Sequence, residues 1–268
     1  MSSVRPSAIA GSFYPGQPEV IARSVDAMLA AAKPPVSAIP KAIIAPHAGH
    51  IYSGPIAASI YALIAPAHAR IKRVVLLGPT HRVAVHGMAL PGVDAFATPL
   101  GNIAIDTDAV KKLMALPYVG VNVEAHRLEH SLEVHLPFLQ KVIDEFTLVP
   151  LAVGRATAQQ VAAVIDMLWG GDETLIVVSS DLSHYLPYAE AQATDSATAQ
   201  AILDLRTDIN HHQACGATPV TGLNLLAQQR GLKPKLIDLR NSGDTAGDKA
   251  RVVGYGSFAF YEQHPAAH

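Results

Sequence analysis

The chain has 268 residues, half of them hydrophobic, with 22 acidic and 20 basic side chains and a formal net charge of −2. This charge balance argues against a protein that binds nucleic acid or an anionic membrane. The one cysteine, Cys215, excludes a disulfide within the chain and is typical of a reducing compartment. The N-terminus lacks the apolar centre of a signal peptide, and no apolar run reaches the roughly 18 residues of a membrane helix, so we expect a cytoplasmic protein.

Short apolar runs alternate with segments of helical spacing. Strands that are apolar throughout are typical of a parallel sheet with helices on both faces. The alternation therefore predicts a single α/β domain over residues 1–268, with a central, mostly parallel sheet flanked by helices. In chain order, the pattern predicts a helix (18–33), a strand (41–46), a helix (54–66), a strand (73–79), a hairpin (84–104), two helices (106–116 and 127–143), a strand (146–153), a helix (157–169), a strand (174–181), two helices (188–206 and 218–230) and two strands (233–240 and 251–261).

Three of the most apolar predicted strands are followed at once by histidines. His47 follows the strand at 41–46, His81 follows the next strand, and His184 lies just beyond a third, together with Asp181. The carboxyl ends of parallel strands meet at one edge of a sheet, where ligands bind. A single histidine after a strand is most often a hydrogen-bonded surface residue, but three such placements predict a metal site.

Two histidines need at least one further ligand, which is usually anionic. The candidates are Asp181, Cys215 and the acidic residues of the segment 127–143. Cys215 lies just before a predicted helix, and a thiol near a helix N-terminus has a lowered pKa that favours the thiolate. The alternative, a small buried apolar side chain, is equally compatible with the sequence at this position.

The segment 127–143 has leucines at helical spacing, which predicts one helix with Leu128 and Leu132 on its core face. On such a helix His130 and Glu133 share a face. His135, near the end of the leucine stripe, could reach the edge of the sheet.

Seven motifs, taken together and in this order, resemble the Memo family, whose members are also called protein B of the AmmeMemoRadiSam system. They are "AGSFYPG", "APHAGHIYSG", "LLGPTH", "EHSLEVHLPFL", "SSDLSHY", "ACG" and "NSGDTAGDKARVVGYGSFAF". The resemblance runs nearly from end to end of the chain. It implies the fold of the class III extradiol ring-cleaving dioxygenases, with a metal site at one edge of the central sheet.

The resemblance also implies roles for individual residues. The metal ligands of the family fall on His47, His81 and Cys215. Asp181 and His184 match the neighbouring acidic and basic residues, and His184 stands where the dioxygenases need a proton-transferring histidine. The "EHSLEVH" motif implies an outer position for Glu133 and His135, where they would orient ligands; we include His135, Asp181 and His184 among the candidate catalytic residues.

The implied cofactor is Fe(II), with copper or zinc as alternatives, because a thiolate replaces the carboxylate of the dioxygenases and sulfur is a softer ligand. The first functional hypothesis is an Fe(II)-dependent oxidoreductase that acts on a small aromatic substrate. The second is a module without turnover that binds a metal or a peptide and acts with radical-SAM and AMMECR-type partners. Zinc-dependent hydrolysis would need the same ligands and an open water position.

Overall fold

Strands buried on both faces form the centre of the protein. The computed structural model describes residues 3–33 and 38–263, so part of the predicted domain 1–268 lies outside the described residues. In the three strands that precede the motif histidines, nearly every residue is buried, as their apolar sequences predict. The strands are β1 (Val4–Arg5), β2 (Ala42–Ala45), β3 (Arg73–Pro79), β4 (Met88–Leu90), β5 (Ala95–Thr98), β6 (Gly101–Ala104), β7 (Val119–Val121), β8 (Thr147–Val153), β9 (Thr174–Ser179), β10 (His184–Leu186), β11 (Lys233–Asn241) and β12 (Val252–Tyr261).

The large sheet has the order β10-β12-β2-β9-β3-β8-β4-β7, and β11 pairs with β12 outside this path. Its four central strands, β2, β9, β3 and β8, are parallel to one another. Antiparallel pairing begins on either side, between β12 and β2 and between β4 and β8. The predicted α/β class, with a large central sheet flanked by helices, is confirmed.

The helices cover both faces of the sheet and bury an apolar cluster against each. The helices are α1 (Pro18–Ala31), α2 (His50–Tyr61), α3 (Thr107–Leu113), α4 (Val123–Arg127), α5 (Leu136–Val142), α6 (Ala158–Met167), α7 (Tyr188–Leu203) and α8 (Ala217–Arg230). One cluster contains side chains of α1, α2 and α5, and the other contains side chains of α6, α7 and α8. Within the described residues, no helix combines the length and the apolar character needed to cross a bilayer.

The hairpin predicted at 84–104 is only partly correct. Strands β5 and β6 form an antiparallel hairpin, but they belong to a separate three-stranded sheet with β1. Strand β4, from the same predicted segment, joins the large sheet beside β8. The register of β4 on β8 places the chain that follows β3 close to the carboxyl edge of the parallel strands.

The single helix predicted over 127–143 is wrong. Helix α4 ends at its start, and α5 begins only after a turn and a short 3-10 helix (Glu133–His135). Pro137 lies at the first turn of α5, where its missing N–H costs nothing, whereas in the middle of a longer helix it would break a hydrogen bond. Within the turn, the carboxylate of Glu129 accepts the backbone N–H of Ser131 at 2.9 Å in place of a helical carbonyl. Leu128 is 42 % exposed and does not join the core.

Candidate metal centre

The motif histidines lie side by side because their strands do. Strands β2, β9 and β3 are adjacent and parallel, so the turns that follow them leave the sheet at the same edge. His47 comes two residues after β2, His81 two residues after β3, and Asp181 two residues after β9. The sequence prediction that these strand ends converge is therefore met by the topology of the sheet.

Three histidines form a compact group at this edge. The potential ligand nitrogens of His47, His81 and His130 all lie within 4.8 Å of one another. The ring centroids of His81 and His130 are 4.4 Å apart, and the ring of His47 is 5.2 Å from that of His81. His130 comes from the turn between α4 and α5 and was not among the predicted ligands. The group could hold a metal ion.

The hydrogen bonds of Ser179 fix the tautomer of His47. The Ser179 hydroxyl donates to the carbonyl oxygen of Ser131 at 2.6 Å, so its single proton is used there. The Nδ1 atom of His47 lies 2.6 Å from the same hydroxyl oxygen and must therefore donate to it. The Nε2 atom of His47 is then unprotonated and offers its lone pair to the group.

The hydrogen bonds of Glu129 fix the tautomer of His81 in the same way. Its carboxylate accepts a hydrogen bond from Nδ1 of His81 at 2.8 Å and from the backbone N–H of His81 at 2.6 Å. Burial opposes the charge on Glu129, but the hydrogen bonds from His81 outweigh this and lower its pKa to about 2. An ionised carboxylate on Nδ1 leaves Nε2 of His81 as the ligand atom, the arrangement that orients many metal-binding histidines.

The environment keeps two of the rings neutral. Burial, followed by the proximity of His81, lowers the pKa of His47 well below its usual range. The same two causes, in the same order, lower the pKa of His130 to about 4. Neutral imidazole is the form that binds metals, so these rings do not have to lose a proton first at pH 7.

Cys215 lies next to this group. Its sulfur is 3.2 Å from Nε2 of His47, and the backbone N–H of Asp181 donates to the sulfur at 3.3 Å. The predicted trio of His47, His81 and Cys215 is not among the sets of donor atoms that lie within 4.8 Å of one another in the described part of the chain. Burial and then the Asp181 carboxyl raise the pKa of the thiol, so the expected lowering by α8 is wrong. A cation bound at His47 would favour the thiolate.

The carboxylate of Asp181 lies beside the backbone and the ring of His47. One of its carboxylate oxygens accepts the backbone N–H of His47 at 2.7 Å, and the other is 4.0 Å from Nε2 of the same residue. The side chain is buried, which raises its pKa to about 7. Asp181 therefore helps to set the backbone position of His47 and lies near enough to the group to serve as an anionic neighbour.

His184 lies at the rim of the site and is exposed. Its Nδ1 atom is 2.9 Å from the carbonyl oxygen of Leu182, which can only accept, so the proton is on Nδ1 and Nε2 is free to act as a base. The carboxylate of Asp181 accepts the backbone N–H of His47, so it is the carbonyl oxygen of Leu182, and not Asp181, that fixes this tautomer.

His135 lies one layer behind the group rather than within it. Its Nε2 atom is 2.8 Å from the Ser179 hydroxyl, whose proton is already donated, so Nε2 is the donor. Its Nδ1 atom then accepts from the hydroxyl of Tyr61 at 3.0 Å. His135 reaches His47 only through Ser179, which matches the outer position implied by the motif. It is fully buried, and burial lowers its pKa to about 3.

Among the described residues, Glu133 forms no hydrogen bond with a candidate ligand, contrary to the orienting role implied for it. Its carboxylate forms a buried ion pair with Arg5 at 2.6 Å and accepts the hydroxyl of Tyr14 at 2.7 Å. It also accepts the backbone N–H groups of Ala8 and Ile9. Glu133 therefore anchors the N-terminal segment to the protein.

His130 was missed because one continuous helix was predicted here, which placed it on a helical face with Glu133 and not in a turn beside His81. The signal that could have found it is local: Pro137 makes a single helix unfavourable across this segment. Once the helix is interrupted, Glu129 and His130 lie in a turn, and a carboxylate beside an imidazole is an arrangement that metal sites use.

Comparison with known proteins identifies the family. The model of the Memo-like protein family matches residues 5–259. A MEMO1 family protein of Aquifex aeolicus is 36 % identical over 264 residues, which cover 94 % of this chain and 97 % of that protein. A MEMO1 family protein of Archaeoglobus fulgidus is 34 % identical, again with 94 % and 97 % coverage. The chain belongs to the Memo-like family.

Among solved structures, an uncharacterized protein of Escherichia coli K12, JW3007, aligns with 80 % of this chain and 98 % of its own length. The TM-score is 0.47 and the sequence identity is 14 %.

Proposed function

We propose that this protein holds a divalent metal ion, Fe(II), at His47, His81 and His130, with Cys215 as a further donor, and acts as an oxidoreductase of extradiol type. The observation that carries the proposal is the group of three imidazoles with ligand atoms within 4.8 Å. It stands at the carboxyl edge of a parallel sheet, where α/β proteins bind their ligands.

The donor set fits a divalent first-row metal. The hydrogen bonds of Ser179 and Glu129 leave the Nε2 lone pairs of His47 and His81 free, so the site is ready to bind without rearranging either ring. When bound, Fe(II) supplies sites for oxygen and for a substrate hydroxyl, and it lowers the pKa of that hydroxyl. Softer donors such as Cys215 also suit Cu(I) and Zn(II), which remain the alternative metals.

The residues around the group provide proton transfer. His184 has Nε2 free and lies at the rim, so it can take a proton from a substrate hydroxyl that enters the site and return it to the product. Asp181 holds the backbone of His47 in position, and a bound cation would favour its ionised form.

Oxygen consumption tests the proposal. Protein loaded anaerobically with Fe(II) and mixed with catechol or 2-aminophenol should take up oxygen when air is admitted. His184→Gln should slow the uptake while leaving the iron content unchanged. Zinc-loaded protein is the matched control, because zinc has no redox chemistry. Absence of uptake across a broad panel of aromatic diols and aminophenols would contradict the oxidoreductase.

The third protein ligand is tested by comparing two variants. If His130 completes the group, His130→Ala loses the metal and Cys215→Ser keeps most of its affinity. If Cys215 is the third ligand instead, Cys215→Ser loses the metal and His130→Ala keeps most of its affinity. Metal content of protein prepared with and without air, measured for both variants, separates the two assignments.

A second candidate function is a binding module without turnover. It is favoured by Tyr185, which follows His184, is 61 % exposed and has a backbone φ of 60°. An exposed aromatic side chain in a left-handed conformation at the rim of a site suits the recognition of a peptide or a partner protein. Radical-SAM and AMMECR-type proteins are the proposed partners. Wild-type metal affinity without oxygen uptake, together with capture of one of these proteins that Tyr185→Ala abolishes, would support this candidate.

A further inference from the structure

A cavity of about 680 Å³ opens beside the histidine group. Its walls include His81 and Cys215, so a molecule in the cavity would touch side chains of the proposed metal centre. The volume falls within the range of sites that bind small molecules. The chemistry of the remaining walls therefore indicates what kind of molecule the site accepts.

One wall of the cavity carries a positive charge. Arg155 lines it, and its main chain is held by two hydrogen bonds, from its own N–H to Val85 at 2.7 Å and from Gly87 to its carbonyl at 2.8 Å. Within residues 3–33 and 38–263, no carboxylate forms an ion pair with Arg155, and no acidic side chain lines the cavity. The guanidinium is thus available for an anion from solution.

Of the other histidines that line the cavity, His211 has hydrogen-bond partners within the chain. Nδ1 of His211 is 3.2 Å from the carbonyl oxygen of Cys215, to which it donates. Its Nε2 atom then accepts from the hydroxyl of Thr218 at 3.3 Å. Both ring nitrogens of His211 are used within the chain, and Arg155 carries a permanent charge that His86 lacks, so Arg155 is the stronger candidate for binding an anion.

Most of the remaining lining is apolar, although Thr80 and the exposed His86 also line the cavity. Val85 and Val153 line the cavity and are themselves 8 % and 2 % exposed, so they form a tightly packed part of its wall. Pro79 and Ala156 extend this surface. An apolar wall next to an unpaired guanidinium suits a molecule with a hydrophobic body and one anionic end.

We infer that the cavity binds a small organic anion. Its carboxylate or phosphate pairs with Arg155, its apolar body lies against Val85 and Val153, and its far end reaches His81 and Cys215. This inference rests on the proposed function for the role of the far end. Recognition of the anion does not require a bound metal, so it can be tested separately.

The experiment compares benzoate and phenyl phosphate with benzamide, which has the same ring and no charge. Each is titrated into wild-type protein, Arg155→Met and Arg23→Met, without added metal, and amide chemical shifts are followed. Arg23 lies on α1, is exposed and does not line the cavity, so its loss removes the same charge elsewhere. Binding at this site should shift the amides of Val85, Gly154 and Thr218.

Both anions should bind more tightly than benzamide, and Arg155→Met should weaken them about tenfold, as expected for a lost charge-assisted hydrogen bond. Arg23→Met should bind as the wild type does. A preference for only one anion would identify the carboxylate or the phosphate as the recognised group. Equal binding of benzoate and benzamide, equal effects of the two arginine variants, or no binding of either anion would overturn the inference. Failure of iron loading would contradict the proposed function alone.

Discussion

Two buried glutamates from one short segment have opposite surroundings. Glu133 faces the N-terminal segment, where its partners are the guanidinium of Arg5, the Tyr14 hydroxyl and two backbone N–H groups. Glu129 faces the sheet edge, where it accepts hydrogen bonds from the ring and the backbone of His81. Both side chains are almost inaccessible to solvent.

These surroundings indicate a structural role for Glu133 and a role at the proposed metal centre for Glu129. Glu133 has a permanent cation beside it, so its charge is balanced within the chain. Glu129 has imidazoles as neighbours, and they are the side chains that would carry a metal. The positive charge that balances Glu129 is therefore expected to arrive with the ion. Changes at Glu133 should alter stability, and changes at Glu129 should alter metal affinity.

The largest effect is expected for Glu133→Gln. The substitution leaves the buried guanidinium of Arg5 without its anion, and breaking such a pair costs about 3–5 kcal/mol. Urea denaturation would measure the loss. Glu124→Gln, which removes an exposed partner of Arg127, is the matched control and should cost less than about 0.5 kcal/mol. Similar losses in the two variants would show that the buried pair does not anchor the N-terminal segment.

Glu129→Gln should weaken metal binding about 10- to 100-fold, because the amide holds Nδ1 of His81 less firmly and no longer balances the ion's charge. Competition with a chromophoric chelator would measure the affinity for Zn(II) or anaerobic Fe(II). The Glu124→Gln control should bind metal as the wild type does. Unchanged affinity in Glu129→Gln would contradict the orienting role of this carboxylate.

Tyr14→Phe removes the hydroxyl that donates to Glu133 at 2.7 Å. Loss of a hydrogen bond to a buried charge should cost about 2 kcal/mol of stability, with no change in metal affinity. Tyr118→Phe is the control, since no hydrogen-bond partner of that hydroxyl is found among the described residues. A weaker metal affinity in Tyr14→Phe would show that the two glutamates are coupled.

Ser179→Ala removes the acceptor that fixes the tautomer of His47. Metal affinity should fall about tenfold, the lower end of the effects seen for groups that orient ligands, because packing still holds the ring. Calorimetric titration would measure it, with Ser7→Ala as the control, since Ser7 bonds to Ala97 away from the site. Equal affinities in these two variants would mean that the tautomer is fixed by something other than Ser179.

The sequence was sufficient to predict the central strands and two members of the histidine group. Strand β3 was predicted at 73–79 and observed at the same residues, since a buried strand is apolar along its whole length. His47 and His81 could be placed together because parallel strands end at one edge of a sheet. These arguments need only local patterns and one rule of topology.

His130 required information that the local pattern does not contain. Its position depends on Glu129, whose partner His81 lies 48 residues earlier in the chain. The separate roles of Glu129 and Glu133 likewise follow from their distant partners, since both fit one helical pattern equally well. The periodicity of the sequence does not reveal long-range hydrogen bonds. These bonds place Glu129, and not Glu133, next to the histidine group.

The most direct test of the metal centre is an anaerobic Fe(II) titration of the wild type, His130→Ala and His68→Ala. His68 is exposed and pairs with Asp144, so it controls for the loss of an imidazole elsewhere. The wild type and His68→Ala should each bind one equivalent, and His130→Ala should bind more than about 100-fold more weakly, a larger loss than removal of an orienting group. No binding by the wild type, or equal affinities of the two variants, would contradict a metal centre built on His47, His81 and His130.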